Sequence, residues 1–234
     1  MVPPGSDMGM HQVIEERGFA ILPGLFSPES VDRFLKEVDH CSIPRGRAGV
    51  RHALRFDPVA NLAADPLLAD LACEVLGSNA FPFRATLFDK SPSSNWLVVW
   101  HQDTALPLRE RMDEQGWGPW SVKEKIVYAH APAGVLSQVL ALRVHLDDSS
   151  CDNGPLRVLP RSHTSGVLSD EGIRDLAARI TPVDCAAAKG GAVAMRPLLV
   201  HASSKSHAQT PRRVLHIEYA ATEFIADPLR LAIA

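Results

Sequence analysis

The sequence predicts a mainly β protein, a β-sandwich or jelly roll with helices packed against its outside. Helical periodicity is confined to the chain before Gly77 and to one later segment, whereas short β-like runs fill the rest. Pro, Gly, Asn, Asp and Ser separate these runs, and helices do not alternate with them as a parallel βαβ fold requires. The runs extend from "FPFRATLFDK" to "RRVLHIEYA".

Two amphipathic helices are predicted before Gly77. Ser27 is a candidate N-cap followed by Pro28, and Asp65 with Pro66 repeats this pattern before a run that Gly77 ends. A third, short helix is predicted at 169–180. The apolar stripes at helical spacing are Val31, Phe34, Leu35 and Val38 in the first helix and Leu67, Leu68, Leu71, Val75 and Leu76 in the second.

The β region contains one clear alternation and one long interruption. In "QVLALRVHL" the leucines and Val144 would face a core, with Arg143 and His145 on the other side. Residues 104–137, with Trp117 and Trp120, are long for a connection between strands, which predicts a lid or binding loop. The tryptophans would contact substrate or pack locally. Without a repeat or linker, the sequence predicts one domain, 1–234.

Composition excludes several classes of protein. The 234 residues are 46% hydrophobic and 22% charged with a net charge of −3, and no block of like charge predicts binding to nucleic acid or a membrane surface. No apolar run approaches the roughly 20 residues of a membrane span. The N-terminus lacks a signal-peptide pattern. The four cysteines are scattered along the chain, at Cys41, Cys73, Cys151 and Cys185, which suits a reducing cytosol. Together these observations predict a cytoplasmic protein.

A metal site is predicted where the apolar run "WLVVW" meets His101 and Asp103. In an extended chain, residues i and i+2 project to the same side, so this imidazole and carboxylate can meet at one ion. His201 ends another apolar strand and completes a set of two histidines and one carboxylate. This set leaves three octahedral positions open, as in non-haem Fe(II) oxygenases. Zinc with water could use the same ligands, so the set does not name the metal.

A carboxylate anchor is predicted at the start of the strand after His201. Arg212 or Arg213 could hold a carboxylate in a bidentate pair, and Ser203 could add a hydroxyl donor. Strand alternation places Arg213 on the side of apolar core residues and Arg212 on the side of His216, which favours Arg212. Open metal positions beside a fixed anchor suit a chelating keto acid.

These motifs, with "DNGPLRVLPRSH" between them, resemble the phytanoyl-CoA dioxygenase family from about Gly18 to about Tyr219. The resemblance implies a double-stranded β-helix of jelly-roll or cupin type. It implies an Fe(II)- and 2-oxoglutarate-dependent dioxygenase that hydroxylates a small molecule and releases succinate and CO2. Carried over by position, the iron ligands are His101, Asp103 and His201, and the 2-oxoglutarate ligands are Arg212 and Ser203.

Three positions depart from the family pattern without removing a ligand. Arg161 stands where the family often has Gly, and Lys205 and Ser206 replace a usual Pro-Asn pair. Related halogenases have a small residue in place of the carboxylate ligand, so by this resemblance the presence of Asp103 implies hydroxylation or a related oxidation and not halogenation.

Alternatives stay open at this stage. One is a metal-dependent cupin-type enzyme that does not use 2-oxoglutarate, and another is a catalytically silent β-sandwich binding protein. The segment with Arg45, Arg47, Arg51 and Arg55 is a solvated loop or an anion-facing rim, and the latter suits an anionic substrate. The role of Gln102 is open. Structural roles are predicted for the Asp147–Asp148 pair and for four other histidines: His145, His163, His207 and His216. Of these histidines, His216 could instead line the pocket.

Overall fold

The computed structural model describes residues 9–41, 43, 46, 49–92, 94–112 and 114–234. Its helices are α1 (Met10–Arg17), α2 (Pro28–His40), α3 (Asp57–Ala63), α4 (Pro66–Leu76), α5 (Ala133–Leu136) and α6 (Asp170–Arg179). Its strands are β1 (Phe19–Leu22), β2 (Gly49–Val50), β3 (Phe81–Lys90), β4 (Val98–His101), β5 (Ala105–Leu108), β6 (Trp120–Lys123), β7 (Ile126–His130), β8 (Val139–His145), β9 (Leu156–Val158), β10 (Val183–Cys185), β11 (Ala192–Met195), β12 (His201–Ser203) and β13 (Arg212–Ala220).

Antiparallel pairing builds a sandwich. The larger sheet has the order β1-β11-β8-β13-β3-β2, the facing sheet has the order β10-β9-β12-β4, and a small third sheet has the order β5-β7-β6. No helix in the described part of the chain combines the length and apolar character needed to cross a bilayer. The predicted mainly β, jelly-roll architecture with flanking N-terminal helices is confirmed.

The helices form where their caps predict them. The side chain of Ser27 accepts a hydrogen bond from the backbone of Ser30 at the start of α2, and Asp65 caps α4 by accepting from the Leu67 backbone. All four residues of the predicted stripe in α2 are buried. In α4 the prediction for Leu67 is wrong, because this side chain is 48% exposed. The buried face of α4 follows the i, i+4, i+7 spacing of Leu68, Ala72 and Val75.

The larger sheet separates the main core from the interior of the sandwich. Its outer face carries the alternating residues of β8 and the residue that follows this strand, and they pack with the N-terminal helices: Leu140, Leu142, Val144 and Leu146. Its inner face packs part of its length against β9 and β10 of the other sheet. Arg143 and His145 point to this inner side, as the alternation predicts, and both are buried. The interior therefore contains charged groups as well as apolar ones.

About half of the 104–137 segment forms the third sheet and α5, and so it is not a structureless loop. Trp117 and Trp120 pack against a second apolar cluster, which includes Leu106, Leu108 and Leu136. Of the two alternatives for these tryptophans, contact with substrate or local packing, the structure supports local packing. Lys123 and Tyr128, from β6 and β7, line the central cavity. Closure of this segment over a ligand stays a prediction.

The turn after the short 3₁₀ helix Cys151–Asn153 depends on Gly154. This glycine has φ +67, and a Cβ at this position would lie 2.3 Å from the carbonyl oxygen of Ser204. Gly24 has a similar φ of +63, but a Cβ there would meet nothing within 4 Å. Both substitutions place alanine in the left-handed region, which costs about 1–2 kcal/mol, and only Gly154→Ala adds a backbone clash.

We therefore expect Gly154→Ala to lower the free energy of unfolding by about 1–3 kcal/mol more than Gly24→Ala does. Urea denaturation of the two variants measures this difference. Equal losses in the two variants would show that the segment around Ser204 shifts freely to accept the methyl group.

Candidate active site

The strand pair β4 and β12 brings two candidate ligands together. His101 and His201 are register partners, whereas Ser203 pairs with Val98, so β4 carries an extra residue between the two pairs. A bulge of this kind re-aims side chains. As a result Val98 and His101 both line the cavity although they are three residues apart, and Val99 is exposed to solvent.

The three predicted metal ligands converge. Oδ1 of Asp103 lies 3.6 Å from Nε2 of His101, and its Oδ2 lies 3.4 Å from Nε2 of His201. One ligand atom from each residue falls within 4.8 Å of the other two. The backbone N–H of Asp103 donates to the carbonyl of Pro197, which fixes the residue just beyond the end of β4. His101 and Asp103 are partly exposed and His201 is buried, so the cluster opens toward the cavity.

Backbone carbonyls orient both imidazoles. Nδ1 of His101 lies 2.8 Å from the carbonyl oxygen of Val99, and Nδ1 of His201 lies 2.9 Å from that of Leu199. A carbonyl can only accept, so each Nδ1 carries a proton and each Nε2 faces the cluster, where it can bind a metal once it is deprotonated. Hydrogen bonds of this kind are typical supports of metal-binding histidines.

Burial and mutual charge adjust the ionisation of the cluster. Burial lowers the pKa of His201 to about 4, against the opposing effect of the Asp103 carboxylate, so the imidazole is neutral at pH 7. Burial disfavours the charged form of Asp103, but the nearby His201 and His101 outweigh it and hold its pKa well below the usual range. A neutral imidazole and an ionised carboxylate are the forms that bind a metal.

Gln102 has a structural role. Its side-chain oxygen accepts from the backbone of Leu168, and its nitrogen donates to the carbonyls of Gly166 and Leu198, all at 2.7–2.8 Å. The side chain therefore points away from the ligand cluster, as strand parity predicts. It ties the end of β4 to two loops and so positions the residues on either side of it.

Arg212 lies in the cavity wall and Arg213 does not. Arg212 is 4% exposed, and it donates to the carbonyl of Asn153 and to the hydroxyl of Ser203. Burial, with the charge of Arg143, lowers its pKa to about 10. Arg213 instead makes a bidentate ion pair with Asp147 on the opposite face, with nitrogen–oxygen distances of 2.8 Å. Within the described residues, no carboxylate pairs with Arg212.

A second cation beside Arg212 was not singled out from the sequence. Lys90 is the register partner of Arg212 on β3 and is 1% exposed. Its ammonium donates to the Ser203 hydroxyl at 2.9 Å and to the Ser204 carbonyl at 2.6 Å. Burial, with the neighbouring Arg212 and Arg143, lowers its pKa to about 8. Alternation along "RATLFDK" puts Lys90 on one side with Arg84 and Phe88, but only the strand pairing shows that this side faces the cavity.

The cavity has a volume of about 280 Å³ and extends beyond the ligand cluster. Arg84 forms a buried ion pair with Glu218, and Arg143 contacts His216, so His216 does line the cavity. Arg51 lines it as well, which fits the anion-facing alternative for this one residue of the arginine-rich segment.

The remaining sequence candidates lie away from the cluster. Arg55 pairs with Glu124 at 3.4 Å, and Arg45 and Arg47 lie outside the described residues. His163 contacts the backbone carbonyl of Glu15 at 3.0 Å. His145 is buried, and neither of its ring nitrogens has a hydrogen-bond partner among the described residues. Asp147 and Asp148 are engaged by Arg213 and by the backbone of Lys189, respectively, and do not act as a pair.

Comparison with known proteins identifies the family. The family model for phytanoyl-CoA dioxygenase matches residues 14–214 of this chain. The chain belongs to the phytanoyl-CoA dioxygenase family. The resemblance inferred from the HxD, His and Arg order is thereby confirmed. The frequent family glycine before "SH" also has a physical reason, since Arg161 at that position has φ +68, a left-handed backbone that favours glycine.

One curated relative in the family is an ectoine dioxygenase from Bordetella bronchiseptica, 28% identical over 170 residues. That match covers 65% of this chain and 48% of the relative, so the chain spans about half the length of the relative. Structural similarity extends further. The 2-oxoglutarate-dependent epimerase SnoN from nogalamycin biosynthesis, solved with Fe3+, cosubstrate and nogalamycin RO, has a TM-score of 0.70 at 19% identity, with 95% of this chain and 93% of SnoN covered.

Two further solved structures share the fold. EctD from S. alaskensis, solved with 2-oxoglutarate and 5-hydroxyectoine, has a TM-score of 0.67 at 21% identity and covers 89% of this chain and 73% of its own. AviO1 from Streptomyces viridochromogenes Tue57 has a TM-score of 0.66 at 20% identity, with 96% of both chains covered. These similarities establish that the sandwich is the double-stranded β-helix of this family.

Proposed function

We propose that this protein is an Fe(II)- and 2-oxoglutarate-dependent dioxygenase that hydroxylates a small molecule. The observation that carries the proposal is the convergence of His101, Asp103 and His201 beside a buried cationic site at Arg212 and Lys90. The reaction converts substrate, O2 and 2-oxoglutarate to hydroxylated substrate, succinate and CO2. We assign residues 1–234 to one domain, with 104–137 covering the cavity, in a cytoplasmic protein whose four cysteines are free.

The residues present fit both the metal and the cosubstrate. Two imidazole nitrogens and one carboxylate form the facial set that non-haem iron uses, with positions left for exogenous ligands. The other end of 2-oxoglutarate is a carboxylate, and Arg212 and Lys90 supply the cationic donors for it, while Ser203 binds beside them and accepts from both. Neither cation has an acidic partner among the described residues, and burial of unpaired cations is costly, so a bound carboxylate stabilises this end of the cavity.

The protein's own residues bind, orient and shield the reactants. Bound iron supplies the oxidising chemistry, in which decarboxylation of the cosubstrate is coupled to oxygen insertion into a C–H bond. Arg212 and Lys90 set the distance of the cosubstrate from the ligand cluster, since Ser203 and His201 are two residues apart on β12. The Asn153 carbonyl holds the Arg212 side chain in place. Phe88, Trp96 and Leu156 line the cavity with apolar surface, which limits access of water.

The relatives support this proposal over its alternatives. The curated relative is named for its action on ectoine, and SnoN and EctD were each solved with the keto-acid cosubstrate. A cupin-type metal enzyme without 2-oxoglutarate has no use for a buried carboxylate site beside its metal. A silent binding protein has no need of two histidines whose hydrogen bonds turn Nε2 toward a shared carboxylate.

Anaerobic titration tests the proposal. We expect Fe(II) and 2-oxoglutarate together to produce a weak visible charge-transfer band that neither gives alone and that Zn(II) does not reproduce. With a substrate, succinate should form in step with hydroxylated product. Iron binding without the band would favour the cupin-type enzyme, and no iron binding would favour the silent binding protein.

A further inference from the structure

Arg143 on β8 is a buried cation that the proposed reaction leaves without a counter-charge. It is 8% exposed and lines the cavity. Its Nη1 donates to Nδ1 of His216 at 2.9 Å, and its Nε has no hydrogen-bond partner among the described residues. None of the ion pairs found within the described part of the chain includes it. A buried, unpaired guanidinium is costly unless an anion binds to it.

The cosubstrate does not account for this charge. Arg212 pairs in register with Lys90, whereas His216, four residues further along β13, pairs with Arg143. Four residues of a strand span about 13 Å of backbone, so the two cations start from different levels of the sandwich, although the charge of Arg143 still reaches Arg212 and Lys90. Of the two carboxylates of 2-oxoglutarate, one is assigned to Arg212 and Lys90 and the other to the metal. Arg143 remains unmatched after both are placed.

The surroundings of Arg143 do not neutralise it either. The charges of Asp103 and Glu218 both reach it, but Asp103 is assigned to the metal and Glu218 is taken by its ion pair with Arg84. Toward the opening, Arg51 and Lys123 add positive charge, and the Lys123 ammonium lies 4.8 Å from the centre of the Tyr128 ring. Of the described residues that line the cavity, six are Lys or Arg and two are Asp or Glu. Such a field attracts a further anion.

We propose that the substrate is a small carboxylic acid whose carboxylate is bound by Arg143, with His216 as the residue that positions the guanidinium. The inference rests on the proposed function and names the substrate class for the same cavity. The Nε of Arg143 has no partner among the described residues, and a carboxylate is the planar anion that a guanidinium matches. A cavity of about 280 Å³ also restricts the buried part of the substrate to a small group.

Calorimetric titration with matched ligands tests the inference without turnover. The protein is loaded with Zn(II) and 2-oxoglutarate before each titration. The probes are three carboxylic acids (butanoic, cyclohexanecarboxylic and phenylacetic acid) and the primary amide of each acid. Wild type should bind at least one acid about 10-fold or more tightly than its amide, because a charge-assisted hydrogen bond is lost in the amide. Arg143→Met should abolish this preference, and Arg143→Lys should retain part of it.

Affinity for 2-oxoglutarate, measured in the same samples, separates the possible failures. It should change by less than about 2-fold in Arg143→Met, because the Arg212 site is untouched. Equal affinity of wild type for acids and amides, including no binding of either, overturns the inference. A large loss of 2-oxoglutarate affinity in Arg143→Met also overturns it and assigns Arg143 to the cosubstrate. Failure of wild type to bind 2-oxoglutarate contradicts the proposed function instead.

Discussion

Asp103→Ala is expected to abolish hydroxylation and to weaken Fe(II) binding more than about 100-fold. Loss of a residue that only supports a metal ligand costs about 10–100-fold in metal affinity or activity, and Asp103 is predicted to be a ligand itself. It also contributes the one negative charge of the cluster. Metal analysis after dialysis against buffered Fe(II), together with succinate release, measures both effects.

The control for this change is a carboxylate of similar size away from the cluster. Asp184 lies on β10, where it pairs with Arg157 at 3.1 Å and is half exposed. A surface pair of this kind contributes little to stability, so Asp184→Ala should leave iron binding and turnover unchanged. If Asp103→Ala retained wild-type iron affinity, the His101, Asp103 and His201 cluster would not be the metal site.

Local physical chemistry made part of this fold predictable. The caps at Ser27 and Asp65 and the alternation in β8 depend on neighbours in sequence, and the structure agrees with each of them. Leu67 shows the limit of the same reasoning. An apolar residue at the edge of a helical stripe is buried only if another element covers that edge, and the sequence does not say where elements pack.

The candidate site was predictable to the extent that it depends on strand parity and chain order. Parity separates Arg212 from Arg213, and their positions on opposite faces of β13 follow from it. The bulge in β4 could not be foreseen, because it depends on how β4 pairs with β12. Lys90 was missed for the same reason, since it contacts Ser203 across 113 residues of sequence.

Arg212→Met is expected to weaken 2-oxoglutarate binding by roughly 30-fold or more while Fe(II) binding is preserved. Removal of one partner from a buried, hydrogen-bonded charge pair costs about 2–5 kcal/mol, and Arg212 is 4% exposed. Methionine retains much of the apolar volume of the side chain, so the cavity wall should stay packed. Titration of the charge-transfer band with 2-oxoglutarate at saturating Fe(II) measures the loss.

Arg213→Met is the matched control, because it removes the same group from the next residue of the same strand. It breaks the bidentate pair with Asp147 and leaves that carboxylate partly buried and unpaired, so stability should fall. The affinity for 2-oxoglutarate should stay unchanged, since Arg213 faces away from the cavity. The pair of variants therefore separates loss of a binding group from loss of stability. The opposite result, with 2-oxoglutarate binding lost only in Arg213→Met, would show that the inner face of β13 does not carry the cosubstrate site.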